Sequence, residues 1–162
     1  MTRKSLLVVF AILVAVPALA ASPPWTAAGT TAVIDESSVP LYALTPPYLG
    51  FAPGAGVGVI TAYFNVTDTS ATTIPDWDTL EISYFDNSID AQVWATLYQL
   101  DKCNGTVVAL CTATSVDNPN NTCKPCTFTQ QIDFTKNDYY VTAKIYRASV
   151  MLQPKLFGVR VF

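Results

Sequence analysis

Histidine is missing from all 162 residues. That absence removes the side chain that most often serves as general base near neutral pH, and with it the commonest transition-metal ligand. Serine triads, cysteine–histidine dyads and histidine-based zinc sites are excluded together. Charge is scarce as well: Asp, Glu, Lys and Arg make up 13% of the chain, against 51% hydrophobic types. Such a composition rules out global disorder and can bury a sizeable core. Polar surface must then come mainly from Thr, Ser, Asn and Gln. With 9 basic and 12 acidic residues, net charge −3, the chain has no electrostatic footprint for nucleic acid or anionic headgroups. No nucleic-acid partner is expected. A long apolar run is also lacking: residues 6–16 fall short of the about 20 that a membrane-crossing helix needs, so no transmembrane helix is expected.

That short run has the layout of a secretory leader. Arg3 and Lys4 give a positive start, residues 6–16 an apolar centre, and Pro17-Ala18-Leu19-Ala20 a small-x-small ending. The pattern predicts a signal peptide over 1–20 and a secreted, extracellular product, with the periplasm or a cell surface as other destinations. Removing Arg3 and Lys4 would take the net charge from −3 to −5. Residues 21–29, rich in Ala and Pro, are expected as a mobile lead-in, and 30–162 as one domain.

Periodicity reads as strand almost everywhere beyond the leader. In 56–66, Gly58, Ile60, Ala62, Phe64 and Val66 alternate with Val57, Val59, Thr61, Tyr63 and Asn65, so one set can face a core and the other solvent. Residues 79–85 form a second candidate. In 92–100, Val93, Ala95 and Leu97 share one face and Trp94, Thr96 and Tyr98 the other. Residues 106–112 follow the hairpin dipeptide Asn104-Gly105. The stretches 127–134, 139–150 and 155–162 complete the series, the last with Phe157, Val159 and Val161 inward. Residues 32–35 and 39–44 suit edge strands. Pro46-Pro47, Pro53-Gly54, Pro75-Asp76, Asp86-Asn87, Asn118-Pro119-Asn120-Asn121 and Lys136-Asn137-Asp138 punctuate the runs as turns. No convincing 3.6-residue period or internal repeat intervenes. About seven to nine short strands at such spacing predict an all-β, antiparallel β-sandwich of immunoglobulin-like or jelly-roll Greek-key type. The run from Tyr139 to Tyr146 resembles the penultimate strand of many extracellular β-sandwiches, a pattern too widely shared to carry function.

Cys103, Cys111, Cys123 and Cys126 all fall in the second half. An even count in an exported chain is read first as disulfides, with three pairings open. A tight turn at Asn104-Gly105 would hold Cys103 and Cys111 at opposite ends of the returning strand, beyond the about 7 Å between Cα atoms that a bridge allows. A wider loop would let them meet, and Cys111 with Cys123 would close the Asn-rich loop. Cys123-Lys124-Pro125-Cys126 has zinc-knuckle spacing without a second knuckle. As a redox pair it would need a helix N-terminus to lower a thiol pKa, where a strand is expected instead. No cofactor and no metal are expected.

Asp68, Asp76, Asp78, Glu81, Asp86 and Asp90 hold half of the acidic residues. A weak calcium site or a two-carboxylate glycosidase pair could be drawn from such a group. No calcium-loop motif or selective spacing is present, and carboxylates beside turns usually cap backbone amides. The aromatics give a stronger lead. With Val93, Ala95 and Leu97 inward, Trp94 and Tyr98 stand on an outer face around Thr96, and Tyr140 and Tyr146 around Thr142 and Lys144. Rigid amphipathic rings on a sheet face make binding surfaces for sugars and proteins; beneath a loop they would be a second layer of core. Trp94 and Tyr98 are therefore the candidate ligand-binding residues, with a carbohydrate or a protein surface as partner. Trp77, between Asp76 and Asp78, reads as a loop plug. Asn65-Val66-Thr67 and Asn104-Gly105-Thr106 match the N-glycosylation pattern. The function expected is a secreted, non-catalytic binding or surface-adhesion module. The alternatives are a structural subunit assembling by strand addition and a histidine-free carboxylate hydrolase.

Overall fold

The computed structural model describes residues 21–69 and 74–162; the leader expected at 1–20 lies outside the described residues. Eleven strands make two antiparallel sheets: β1 (Trp25–Ala28), β2 (Val33–Ile34), β3 (Tyr42–Thr45), β4 (Tyr48–Phe51), β5 (Gly58–Val66), β6 (Thr79–Asp86), β7 (Ala91–Asp101), β8 (Val107–Thr114), β9 (Asn118–Thr127), β10 (Asn137–Arg147) and β11 (Lys155–Val161). Sheet A runs β3-β4-β11-β6-β9, with β1 also on β11, and sheet B runs β2-β5-β10-β7-β8. The antiparallel β-sandwich expected from alternation is the architecture observed.

The inward rows explain why. Ile60, Ala62, Phe64 and Val66 on β5, Val93, Ala95 and Leu97 on β7, and Val141, Ala143 and Ile145 on β10 are buried. Leu49, Leu80, Ile82, Tyr84, Leu156, Val159 and Val161 complete the same core from sheet A. Across sheet B, Ala62, Ala143, Ala95 and Ala113 lie abreast, so bulk at that level comes from the facing sheet, as close packing of two layers requires. A slip of one residue in any ladder would turn its apolar row to solvent, which pins the register.

Four local readings are corrected. Residues 21–29 are not a loose lead-in: β1 pairs with Gly158–Val161 and buries Trp25. Gly158 permits that pairing, because a Cβ there would stand 2.9 Å from the Ala27 carbonyl oxygen. Next, the Asn-rich stretch 118–121 begins β9, whereas 128–136 is a connection. The free edge of β6 recruits a polar segment by backbone pairing, and Pro119 and Pro125 are tolerated because β9 is an edge strand. Phe128 and Ile132 still bury, but from the connection. Third, a bulge between Leu156 and Gly158 shifts the alternation of β11, so Leu156 takes the inward place expected of Phe157. Fourth, the strand count among the described residues rises to eleven, because β1 and β4 add to the short edge strands expected at 32–35 and 39–44, which form as β2 and β3.

The connections at one end of the sandwich are held by Arg147, which is 1% exposed. Its guanidinium donates to the carbonyls of Ala55, Gly56, Val150 and Leu152 and lies 4.0 Å over the Phe51 ring. No carboxylate pairs with it among the described residues, and burial lowers its pKa from the ordinary arginine value. Five donors spread over backbone acceptors satisfy the charge in place of an ion pair. At the other end Trp77, 3% exposed, donates its indole N–H to the Pro23 carbonyl and meets Phe134 edge-on.

Candidate binding face

Pairing of β10 with β5 and β7 stacks four outward rows on sheet B: Asn65–Tyr140–Tyr98, Tyr63–Thr142–Thr96, Thr61–Lys144–Trp94 and Val59–Tyr146–Gln92. Thr112 and Thr114 of β8 extend the second and third rows, and Val33 of β2 extends the second. Rows are about 7 Å apart along the strands and neighbouring strands about 4.8 Å apart. Trp94 and Tyr98 thus sit on one strand, about 13 Å apart, with Thr96 between them as expected.

Tyr98 and Tyr140 stack with centroids 5.1 Å apart and an interplanar angle of 15°. Trp94, Tyr98 and Tyr140 are half-buried, and Tyr63 and Tyr146 are 38% and 36% exposed. Burial raises the Tyr140 phenol above its usual pKa, with Tyr98 and Tyr63 contributing, so its hydroxyl keeps its proton as a donor at neutral pH. At the β2 edge Asp35 is held below the usual carboxylate range, first by the Ser37 hydroxyl and then by the Ser37 amide, with the Tyr63 hydroxyl adding to it. Thr96 and Thr112 hydroxyls bond to each other at 2.8 Å. Aromatic faces flanked by hydroxyls and amides are therefore displayed across this sheet. Alternation assigned Tyr63 and Asn65 an outward face, but only the β5–β10 pairing shows that they border Tyr140 and Thr142.

The cysteines lie apart from this face. Cys111 on β8 and Cys126 on β9 are bonded, with Cα atoms 6.0 Å apart, and join the edges of the two sheets. Of the four cysteines expected to bridge, Cys103 and Cys123 are exposed free thiols. The chain reverses over 102–105 rather than over Asn104-Gly105 alone: Asp101 pairs with Thr106 and accepts from the amides of Cys103 and Asn104, and Gly105 takes φ 71°. Cys103 lies in the loop while Cys111 stands opposite Leu97. Cys123 and Cys126 stand three residues apart on a strand, on opposite faces and about 10 Å from each other, too far to pair.

The acids from Asp76 to Asp90 meet different partners. Asp76 binds the Ser22 hydroxyl and amide, which lower its pKa, and Asp78 accepts from the Thr79 hydroxyl at 2.6 Å. Glu81 pairs with Arg160 at 3.2 Å. Asp86, 2% exposed, accepts from the Ser115 hydroxyl while its Oδ1 has no hydrogen-bond partner among the described residues, and burial raises its pKa. Asp76 and Asp78 precede β6 and Asp90 follows it, so about 24 Å of strand separates them. Among the described residues no group of three or more Cys, Asp or Glu is placed to hold a metal ion.

No protein-family model matches the chain, and no curated protein matches it in sequence. Solved structures match it in shape. A xylan-binding module, CBM15, superposes with TM-score 0.52 at 13% identity, over 86% of this chain and 95% of that one. A family two carbohydrate esterase from Cellvibrio japonicus gives 0.47 at 10% identity, over 86% of this chain and 33% of that one. TmCBM61 in complex with β-1,4-galactotriose gives 0.42 at 9% identity, over 87% and 88%. The likeness to the xylan-binding module is one of fold.

Proposed function

We propose that this chain is an exported, non-catalytic module that binds a carbohydrate chain on the outer face of sheet B. One observation carries the reading: Trp94, Tyr98, Tyr140, Tyr63 and Tyr146 stand on a single face, interleaved with Thr, Asn and Gln. Sugar rings present apolar C–H faces and equatorial hydroxyls, which suit aromatic faces and short polar side chains respectively. The fold is shared with a protein named as a xylan-binding module, which supports the same reading. Export is supported by the leader pattern at 1–20 and by the Cys111–Cys126 bond. Scattered carboxylates and the lack of histidine argue against hydrolysis, and prolines on edge strand β9 argue against assembly by strand addition there.

A glycan array and affinity electrophoresis through polysaccharide gels test the proposal. Retardation by at least one polysaccharide, lost in the Trp94→Ala and Tyr98→Ala variants with unfolding curves unchanged, is the expected result. Binding to no glycan, or binding untouched by both substitutions, would refute it.

A further inference from the structure

Lys144 is the one charged side chain within the four outward rows of β5, β10 and β7. It sits on the central strand, half-buried, between Thr61 and Trp94. No acid pairs with it among the described residues, although Lys102, Lys136 and Arg160 each have an acidic partner. Nor, among the described residues, does its ammonium lie over a ring, as the cationic groups of Lys155 and Arg160 do. The acids nearest the rim are engaged elsewhere: Asp138 with Lys102, and Asp35 with Ser37 and Tyr63. In a chain of net charge −3, the middle of the candidate face is therefore locally positive.

Lys144 thus stands half-buried between aromatic and hydroxyl-bearing neighbours, its stem covered and its charge without an acidic partner among the described residues. A neutral sugar offers it only hydroxyl acceptors; a carboxylate or sulfate offers a charge-assisted hydrogen bond, the stronger kind. We propose that the ligand of this face is an acidic glycan, a polysaccharide whose sugars carry an anionic substituent, and that Lys144 binds that substituent while Trp94 and the Tyr98–Tyr140 pair stack on the sugars to either side. This inference rests on the carbohydrate reading above. The protein's overall negative charge opposes such a ligand only weakly, because charges beyond about 8 Å are largely screened at physiological salt.

Calorimetric titration of the full secreted chain would use four probes: polygalacturonate, its methyl-esterified form, a sulfated galactan and the unsulfated galactan. Tighter binding of either acidic member over its neutral counterpart is expected, and which pair shows it identifies the substituent as carboxylate or sulfate. Lys144→Met keeps the apolar stem and should weaken the acidic ligand by about tenfold or more, with the neutral one changed less than about twofold. Lys144→Arg should restore the preference. Raising ionic strength from about 0.01 M to about 1 M shortens the screening length from about 30 Å to about 3 Å and should erode the preference. Equal binding of acidic and neutral members, or an acid preference that survives Lys144→Met, would overturn the role of Lys144 and leave carbohydrate binding standing. Binding of no glycan, charged or neutral, would overturn both.

Discussion

On sheet A the ring of Tyr48 meets Phe157 edge-on at 6.0 Å and lies beneath the Lys155 ammonium at 4.6 Å, and Phe85 shares that lysine at 5.6 Å. The Phe162 ring lies beneath Arg160 at 4.1 Å, and Arg160 in turn pairs with Glu81. On sheet B the Tyr98–Tyr140 stack is the only ring pair on the outer face, and no cation covers Trp94, Tyr63 or Tyr146 among the described residues. Similar side chains are thus engaged differently on the two outer faces. Where ring faces are covered by the protein's own cations, the attraction holds the sheet together. Where they are left open beside hydroxyls, the same surface stays available to a ligand. Exposure of aromatics alone does not separate these cases; what each ring already touches does.

The largest expected effect comes from uncoupling the two sheets. The Cys111–Cys126 bond closes a loop of separation 15 between their edges, so replacing both cysteines by alanine should cost about 3 kcal/mol in urea unfolding. Glycan binding per folded molecule should persist, since the bond lies away from the open face; loss of binding at full folding would show that the face depends on the staple. Next comes the contrast between the faces. Trp94→Ala should weaken glycan binding by about 2 kcal/mol, the size of a binding hot spot, and move stability by less than about 0.5 kcal/mol. Tyr48→Ala on sheet A should do the reverse, leaving binding intact and costing about 1 kcal/mol of stability. A binding loss in Tyr48→Ala equal to that in Trp94→Ala would erase the distinction.

The smallest effect is a pH dependence away from both faces. Asp133 accepts from the Thr135 amide and hydroxyl and pairs with Lys136, which hold its carboxyl at about 2, below the ordinary 3.8. A depressed folded-state pKa stabilises above the unfolded value and is lost as pH falls through the folded one. Asp133→Asn should therefore be less stable than the parent at pH 7, with the difference shrinking from about pH 4 and gone only below about pH 2. A gap that stays constant over that range would assign the effect to hydrogen bonding alone.

Alternation made the long strands legible. The inward rows of β5, β7 and β10 and the outward Trp94, Tyr98, Tyr140 and Tyr146 follow from period two. Pairing was not legible, because a strand's face does not say which strand lies beside it; Tyr63 and Asn65 therefore joined the site only once β5 was seen against β10. Strand β9 was hidden for a related reason. Its Asn- and Pro-rich sequence has no strand propensity of its own, and it is extended because β6 offers a free row of backbone partners. β1 was obscured by Ala and Pro around Trp25, whose burial ties the segment down. The cysteine pairing depended on β8 and β9 standing at matching edges of different sheets, which local spacing does not encode.

Fluorescence gives the most direct test, because Trp25 and Trp77 are 6% and 3% exposed while Trp94 is the half-buried tryptophan of the outer face. Quenching by acrylamide should report mainly Trp94, and a bound glycan should shield it in a saturable way that disappears in Trp94→Phe. A glycan that binds while the quenching of Trp94 stays unchanged would place recognition elsewhere on the molecule and contradict the account.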